Sequence, residues 1–235
     1  MAVFRSMGIR NGLVATGGVQ AGDLMVAGES ILAGALATAG AGVWTGAMIA
    51  TGIIRRTGPV GGYTDTTDTA QAIITALAGS APSPDVAPGT SWRLLFINTV
   101  AQAMTFANGI GVRAGTGTLD TTASLVHEYL MTVLNASPQI TLTLNTTNGS
   151  PTTTFVFPSG TTAWPIGPSP IASNITPGMT VSGTGITAGT RVLSVQQGPG
   201  GITGVTLDAN ATATGSASII FSPTILIDSL RQSTL

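Results

Sequence analysis

The sequence predicts a mainly β protein, on three observations. Thr accounts for 38 of 235 residues and Gly for 32, residue types that favour pleated surfaces and tight turns respectively. Short stretches of alternating apolar and polar residues recur from Ser91 onward, and clusters of Gly, Pro, Asn and Ser separate them at sandwich-like spacings. Ahead of these stretches, glycines recur at every sixth position. The expected organisation is an extended Gly/Ala-rich hexad-repeat arm over residues 1–56 and a β-sandwich or barrel-like module with one short helix over 57–145. A linker over 146–170 and a small C-terminal β-module over 171–235 complete it.

Composition excludes several functions. Charged residues make up only 7% of the chain, Lys is absent, all eight basic residues are Arg, and the formal net charge is −1. Eight scattered arginines cannot neutralise a phosphate backbone, so no nucleic-acid partner is expected. Without Cys there are no disulfides, thiolate metal sites or Cys nucleophile. Met1 to Met7 lack the unbroken apolar core of a secretory signal. Ser30 to Ile54 carry no charge and precede Arg55-Arg56, the dimensions of a membrane span. The stretch is mostly Gly, Ala and Thr, however, so its transfer free energy is weak and no membrane partner is expected.

The hexad array is the most regular feature. Gly22, Gly28, Gly34, Gly40, Gly46, Gly52 and Gly58 each follow Ala or Thr, and three residues before them stand Val19, Met25, Ile31, Ala37, Val43, Ile49 and Arg55. Six is a multiple of two and not of 3.6, so an extended chain would keep the apolar column on one side. The expectation is a solenoid-like or fibrous arm whose assembly interface is Val19, Met25, Ile31, Val43 and Ile49 with the seven glycines. Seven short repeats are too few for a single-chain β-helix, whereas three copies wound together would supply the missing burial. A flexible Gly/Ala linker is the alternative.

From Thr57 the texture changes. Thr64 to Thr69 offer N-cap residues before Ala70–Ala78, where Ile73, Ile74 and Leu77 share one helical face and Gly79 suits the C-terminal cap. Strands are expected at Ser91–Asn98, apolar on both faces and therefore central, at Met104–Phe106, Ile110–Val112, Leu125–Leu134 and Ile140–Leu144. Thr57-Gly58-Pro59, the Tyr63–Ala70 cap with its helix, the Ser91–Thr99 strand and the Glu128–Val133 strand resemble a module of tailed-bacteriophage virion proteins. A Gly-rich arm precedes the module there too. The similar proteins are capsid decoration or head-fibre proteins and fibre components, usually homotrimers, and the resemblance covers roughly the first 145 residues.

Residues 146–170 are rich in Thr, Pro, Ser and Gly, interrupted by Thr154–Phe157 and Trp164. Beyond them, Ile175–Ile186, Gly189–Val195, Val205–Leu207 and Ser218–Phe221 alternate around turn glycines as a small β-unit. Residues 171–222 are similar to a module that recurs in phage structural and fibre proteins.

Residues able to carry chemistry are few. His127 is the sole histidine, and a triad would need it with Glu128 or Asp120 and a serine. Period-two alternation instead places it on the exposed side of a strand. Asp65, Asp68 and Asp120 lack the dense carboxylates of a calcium loop and suit caps or turns, so no metal is expected. Gly183-Thr184-Gly185 and Gly115-Thr116-Gly117 precede no helix and are hairpin material, so no cofactor is expected. Trp44, Trp92 and Trp164 are candidates for a sugar platform, with packing the commoner use.

The reading these expectations support is a non-enzymatic virion protein on the outer surface of a phage capsid. It would be a homotrimeric decoration (cement) protein or head fibre, with itself and the major capsid protein as partners. The alternative is a tail-fibre or receptor-binding adhesin that contacts host glycans.

Overall fold

The computed structural model describes residues 34–79, 86–155, 175–198 and 201–234. Within them the chain is mainly β, with two helices and three sheets. From residue 34 to 107 it passes back and forth between two facing sheets. Strands β1 (Gly34–Leu36), β2 (Gly42–Trp44), helix α1 (Gly46–Ala50), β3 (Ile53–Arg56), β4 (Tyr63–Thr67), α2 (Ala70–Gly79), β5 (Ser91–Asn98) and β6 (Met104–Ala107) follow in order. β1, β3 and β5 stack in parallel in one sheet, and β2, β4 and β6 stack in parallel in the other. Three passes thus form a short parallel two-sheet stack. Trp44 of β2 bridges the layers, stacking on Phe96 of β5 at 4.6 Å and meeting Tyr129 at 5.7 Å.

The remainder of the chain closes this stack and builds a second module. Strands β7 (Val112–Ala114) and β8 (Leu125–Asn135) come next, then β9 (Ile140–Thr146), β10 (Thr152–Phe155), β11 (Thr180–Gly183), β12 (Val192–Gly198), β13 (Gly201–Leu207), β14 (Gly215–Ser222) and β15 (Thr224–Thr234). The first sheet has the order β1-β3-β5-β8-β15-β7, with β8 antiparallel to both β5 and β15. The second module is an antiparallel sheet of order β11-β14-β9-β10-β13-β12. Each module has its own apolar core, one around Trp44, Phe96, Tyr129, Met131 and Ile225, the other around Leu144, Met179, Val205, Ile219 and Phe221.

Residues 34–56 correct the expectation of an extended arm over 1–56. Their hexad positions fall on a strand, a loop, a helix and turns, so no single apolar column forms. Between in-phase glycines lie Trp44 and Ile49, both fully buried, and burying them against β5 and α2 outweighs what an open ribbon would retain. Thr45 caps α1 by accepting from Met48 N–H at 3.2 Å, and Asp68 Oδ2 accepts from Gly46 N–H at 3.1 Å. Gly46 is required by packing, since a Cβ there would sit 2.6 Å from the Ala72 carbonyl oxygen of α2. Residues 1–33 lie outside the described residues.

The module boundaries at 57, 145 and 171 are also corrected. The first module comprises 34–135 together with β15, which returns from the far end of the sequence to lie between β8 and β7. The second spans β9 to β14, so Ile140–Thr146 belongs to it and the expected linker contains β10. The expected helix stands as α2, with Ile73, Ile74 and Leu77 buried and Thr69 Oγ1 accepting from Ala72 N–H at 3.1 Å. No helix among the described residues is long and apolar enough to cross a membrane.

Candidate functional site

Among the residues expected to form an arm interface, Val19, Met25, Ile31, Gly22 and Gly28 lie outside the described residues. The others are separated. Val43 is 50% exposed on β2, whereas Ile49 is buried in α1. Gly34 packs on Met48, and Gly58, at φ +109°, lies against the Ala37 carbonyl. Gly52, at φ +75°, turns the chain out of α1 into β3, while Gly40 has open space around it. Ile49, Gly34, Gly46 and Gly58 therefore serve the interior of the first module and are not an assembly surface.

His127 departs from its expected exposure: it is fully buried, on the same face of β8 as Leu125, Tyr129, Met131 and Val133. Its Nδ1 lies 3.0 Å from Thr121 Oγ1 and its Nε2 2.8 Å from Ser229 Oγ. Tyr129, stacked on its ring at 3.9 Å, donates its hydroxyl to the Leu119 carbonyl at 2.7 Å. Desolvation lowers the imidazole from 6.5 to about 4, which makes it a weak base at neutral pH. A Ser–His pair is present, but a hydroxyl stands where a triad has its orienting carboxylate. The arrangement clamps β8, the connection before it, and β15 together.

A second buried polar cluster ties the parallel passes together. Arg56 and Asp65, both fully buried, pair with Nε 3.0 Å from Oδ2. Arg56 also donates to the Leu36 and Thr38 carbonyls at 3.1 and 2.9 Å and to the Gly40 carbonyl, while Asp65 Oδ2 accepts from Trp44 Nε1–H at 3.2 Å. Its guanidinium lies 4.7 Å over the Tyr63 ring. Burial, and then the Asp65 carboxylate, push the Tyr63 hydroxyl up to about 12.

Every described carboxylate is engaged inside the chain. Asp68 accepts from Thr69 and Gly46 N–H. Asp120, however, accepts from Phe106 N–H, fourteen residues away on β6, and Asp65 is held in the buried pair with Arg56, so neither fills the cap or turn role expected of it. Asp228 accepts from Thr116. Asp208 pairs with Arg191, and Glu128 is held between Arg93 and Arg231 at 2.7 Å each. No group of three His, Cys, Asp or Glu among the described residues is arranged to hold a metal. Trp44 is interior, Trp92 is half-buried, and Trp164 lies outside the described residues.

Two surfaces remain as candidates for binding. The outer face of the first sheet carries Ile53, Leu95, Ile97, Val126, Leu130 and Leu226, all half-buried, around the Arg93–Glu128–Arg231 cluster. Between the modules, β7 at the edge of the first sheet and β11 at the edge of the second flank a cleft of about 510 Å³. Its walls include Ile110, Val112 and Arg113 on one side and Val181, Ser182 and Ile186 on the other. The Arg113 guanidinium has no hydrogen-bond or ion-pair partner among the described residues, and Ser182 Oγ is buried without one. Nothing in the sequence marked the cleft, because its two walls are some seventy residues apart. No protein-family model, curated protein or solved structure matches the chain at a significant level.

Proposed function

We propose that this protein is a non-enzymatic structural component of a tailed-phage virion, a homotrimer that binds the major capsid protein lattice from outside and stabilises the shell. The observation that carries the reading is the outer face of the first sheet, where six apolar side chains from four adjacent strands stand half-open. Such a face is suited to burial against protein, since of its two carboxylates Glu128 is already neutralised by two arginines and Asp228 already accepts from Thr116. The Lys-free, Thr-rich composition extends the same property over the chain. The engaged carboxylates and the weakened His127 leave little acid/base chemistry in the described residues, in keeping with a structural role.

The test is the copy number of this chain per purified virus particle, measured by quantitative mass spectrometry against the major capsid protein. Tens to hundreds of copies are expected. A handful of trimers would overturn the capsid assignment and move the protein to the tail.

A further inference from the structure

The cleft between β7 and β11 presents backbone that the chain leaves unpaired. On its inner edge β7 bonds to β15: Ile225 N–H meets the Gly111 carbonyl, and Gly115 N–H meets the Ile227 carbonyl. Strand alternation then turns the backbone groups of Val112 and Ala114 to the other edge. Val112 N–H is taken there by the Gly109 carbonyl, which leaves the Val112 carbonyl and both groups of Ala114 without a partner among the described residues. β11 does not supply one. Val181 N–H bonds to the Thr190 carbonyl and Ile186 N–H to the Gly183 carbonyl, so that wall pairs within its own module. The volume of about 510 Å³ is within the range of sites that hold a small ligand or a few peptide residues.

Among the residues that line the cleft, Arg113 alone is charged. It is half-buried, and its guanidinium has no hydrogen-bond or ion-pair partner among the described residues. Its register partner on β15 is Leu226, and the next carboxylate along that strand, Asp228, is bound by the N–H and hydroxyl of Thr116. A lone cation beside the apolar side chains of Ile110, Val112 and Ile186 is complementary to a carboxylate. Val112 and Ala114 point to the opposite face of β7 from Arg113. An added strand would therefore carry its acidic side chain on the Arg113 face and apolar side chains to either side of it on the Val112 face.

We infer that the cleft receives an extended segment of another protein, added to β7 as an edge strand, with an Asp or Glu of that segment paired to Arg113. The segment's backbone meets the groups that Val112 and Ala114 leave open, and the pair with Arg113 fixes its register. This contact goes beyond the virion reading and does not depend on it.

The experiment titrates full-length protein into a labelled Thr-Val-Asp-Val-Thr peptide with blocked termini, and into its Asn counterpart, read by fluorescence polarisation. The Asp peptide should bind about tenfold more tightly or better, and Arg113→Gln should bring the two to the same affinity. N-methylation of the peptide amides along one edge should abolish binding, and along the other edge should leave it unchanged, as pairing to a single strand requires. The methylated peptides act on the wild-type protein, so the test holds where Arg113→Gln lowers the melting temperature. Absence of binding at about 1 mM peptide would overturn the inference, as would equal wild-type affinities for the Asp and Asn peptides. Binding that appears only after Asp23→Asn with Glu29→Gln would show that the chain's own carboxylates fill the cleft. Binding confined to dilutions at which light scattering finds a monomer would give the place to a second copy. Either result overturns the partner segment. None of these outcomes changes the copy number on the particle, so the virion reading stands or falls separately.

Discussion

At the residue scale, a buried histidine and a buried ion pair govern how the first module responds to its surroundings. His127 has its pKa lowered from 6.5 to about 4 by desolvation, so between those values the unfolded chain binds the proton and the native chain does not. Its contribution to stability is intact above pH 6.5 and is lost as pH falls toward 4, a change on the order of 3 kcal/mol. Urea midpoints at pH 7.5 and 4.5 should therefore differ, and His127→Gln should reduce the difference; an equal difference in the variant would place the pH response elsewhere. Arg56 and Asp65 are a fully buried pair, and removing either leaves the other uncompensated. Arg56→Met or Asp65→Asn should each cost about 3–5 kcal/mol in chemical denaturation. The burial of His127 was hidden in the sequence because even positions of β8 also hold apolar residues, Val126, Leu130 and Leu134, so alternation alone left its phase ambiguous. The local role of Asp68, which accepts from Thr69 N–H, was legible, whereas the bond of Asp120 to Phe106 N–H, fourteen residues away, leaves no local pattern.

At the element scale, legibility followed the range of the interaction. α2 announced itself through a capping Thr and three apolar residues on one face, all local features. The central strand β5 was equally plain from its uninterrupted apolar run Leu94–Ile97, although only Leu94 and Phe96 face the core and Leu95 and Ile97 stand half-open on the outer face. β1 and β2 were not, being three residues long, Gly-Ala-Leu and Gly-Val-Trp, in a segment whose glycine period suggested ribbon. Their pairing with β3 and β4 spans some twenty residues and depends on α1, whose docking on α2 no periodicity encodes. Gly46→Val tests that docking: the added side chain meets the Ala72 carbonyl, and the variant should lose about 2 kcal/mol or more and shift the midpoint accordingly. An unchanged midpoint would mean that α1 does not pack on α2. β15 belongs to a distant segment and pairs along ten positions with β8, which only the folded chain brings together.

At the scale of the whole molecule, the sparse charge governs how the protein meets a partner. With 7% charged residues and a formal net charge of −1, little of its surface can take part in long-range attraction. The described ion pairs are satisfied within the chain, Glu128 by two arginines and Asp208 by Arg191. An interface formed by the apolar face of the first sheet would bury Ile53, Leu95, Ile97, Val126, Leu130 and Leu226 and gain its free energy from removing them from water. Salt screens exposed charges over about 8 Å at physiological ionic strength and leaves apolar burial intact or strengthens it. Occupancy of the purified protein on shells lacking it should therefore fall less than about twofold between ~0.1 and ~0.5 M NaCl, measured by sedimentation of protein-loaded particles. Leu130→Asp, which places a carboxylate in the middle of that face beside Arg93, should abolish binding while the isolated variant keeps its fold. Binding that drops tenfold with salt and survives Leu130→Asp would assign attachment to charged contacts, and the apolar face would no longer carry the proposed function.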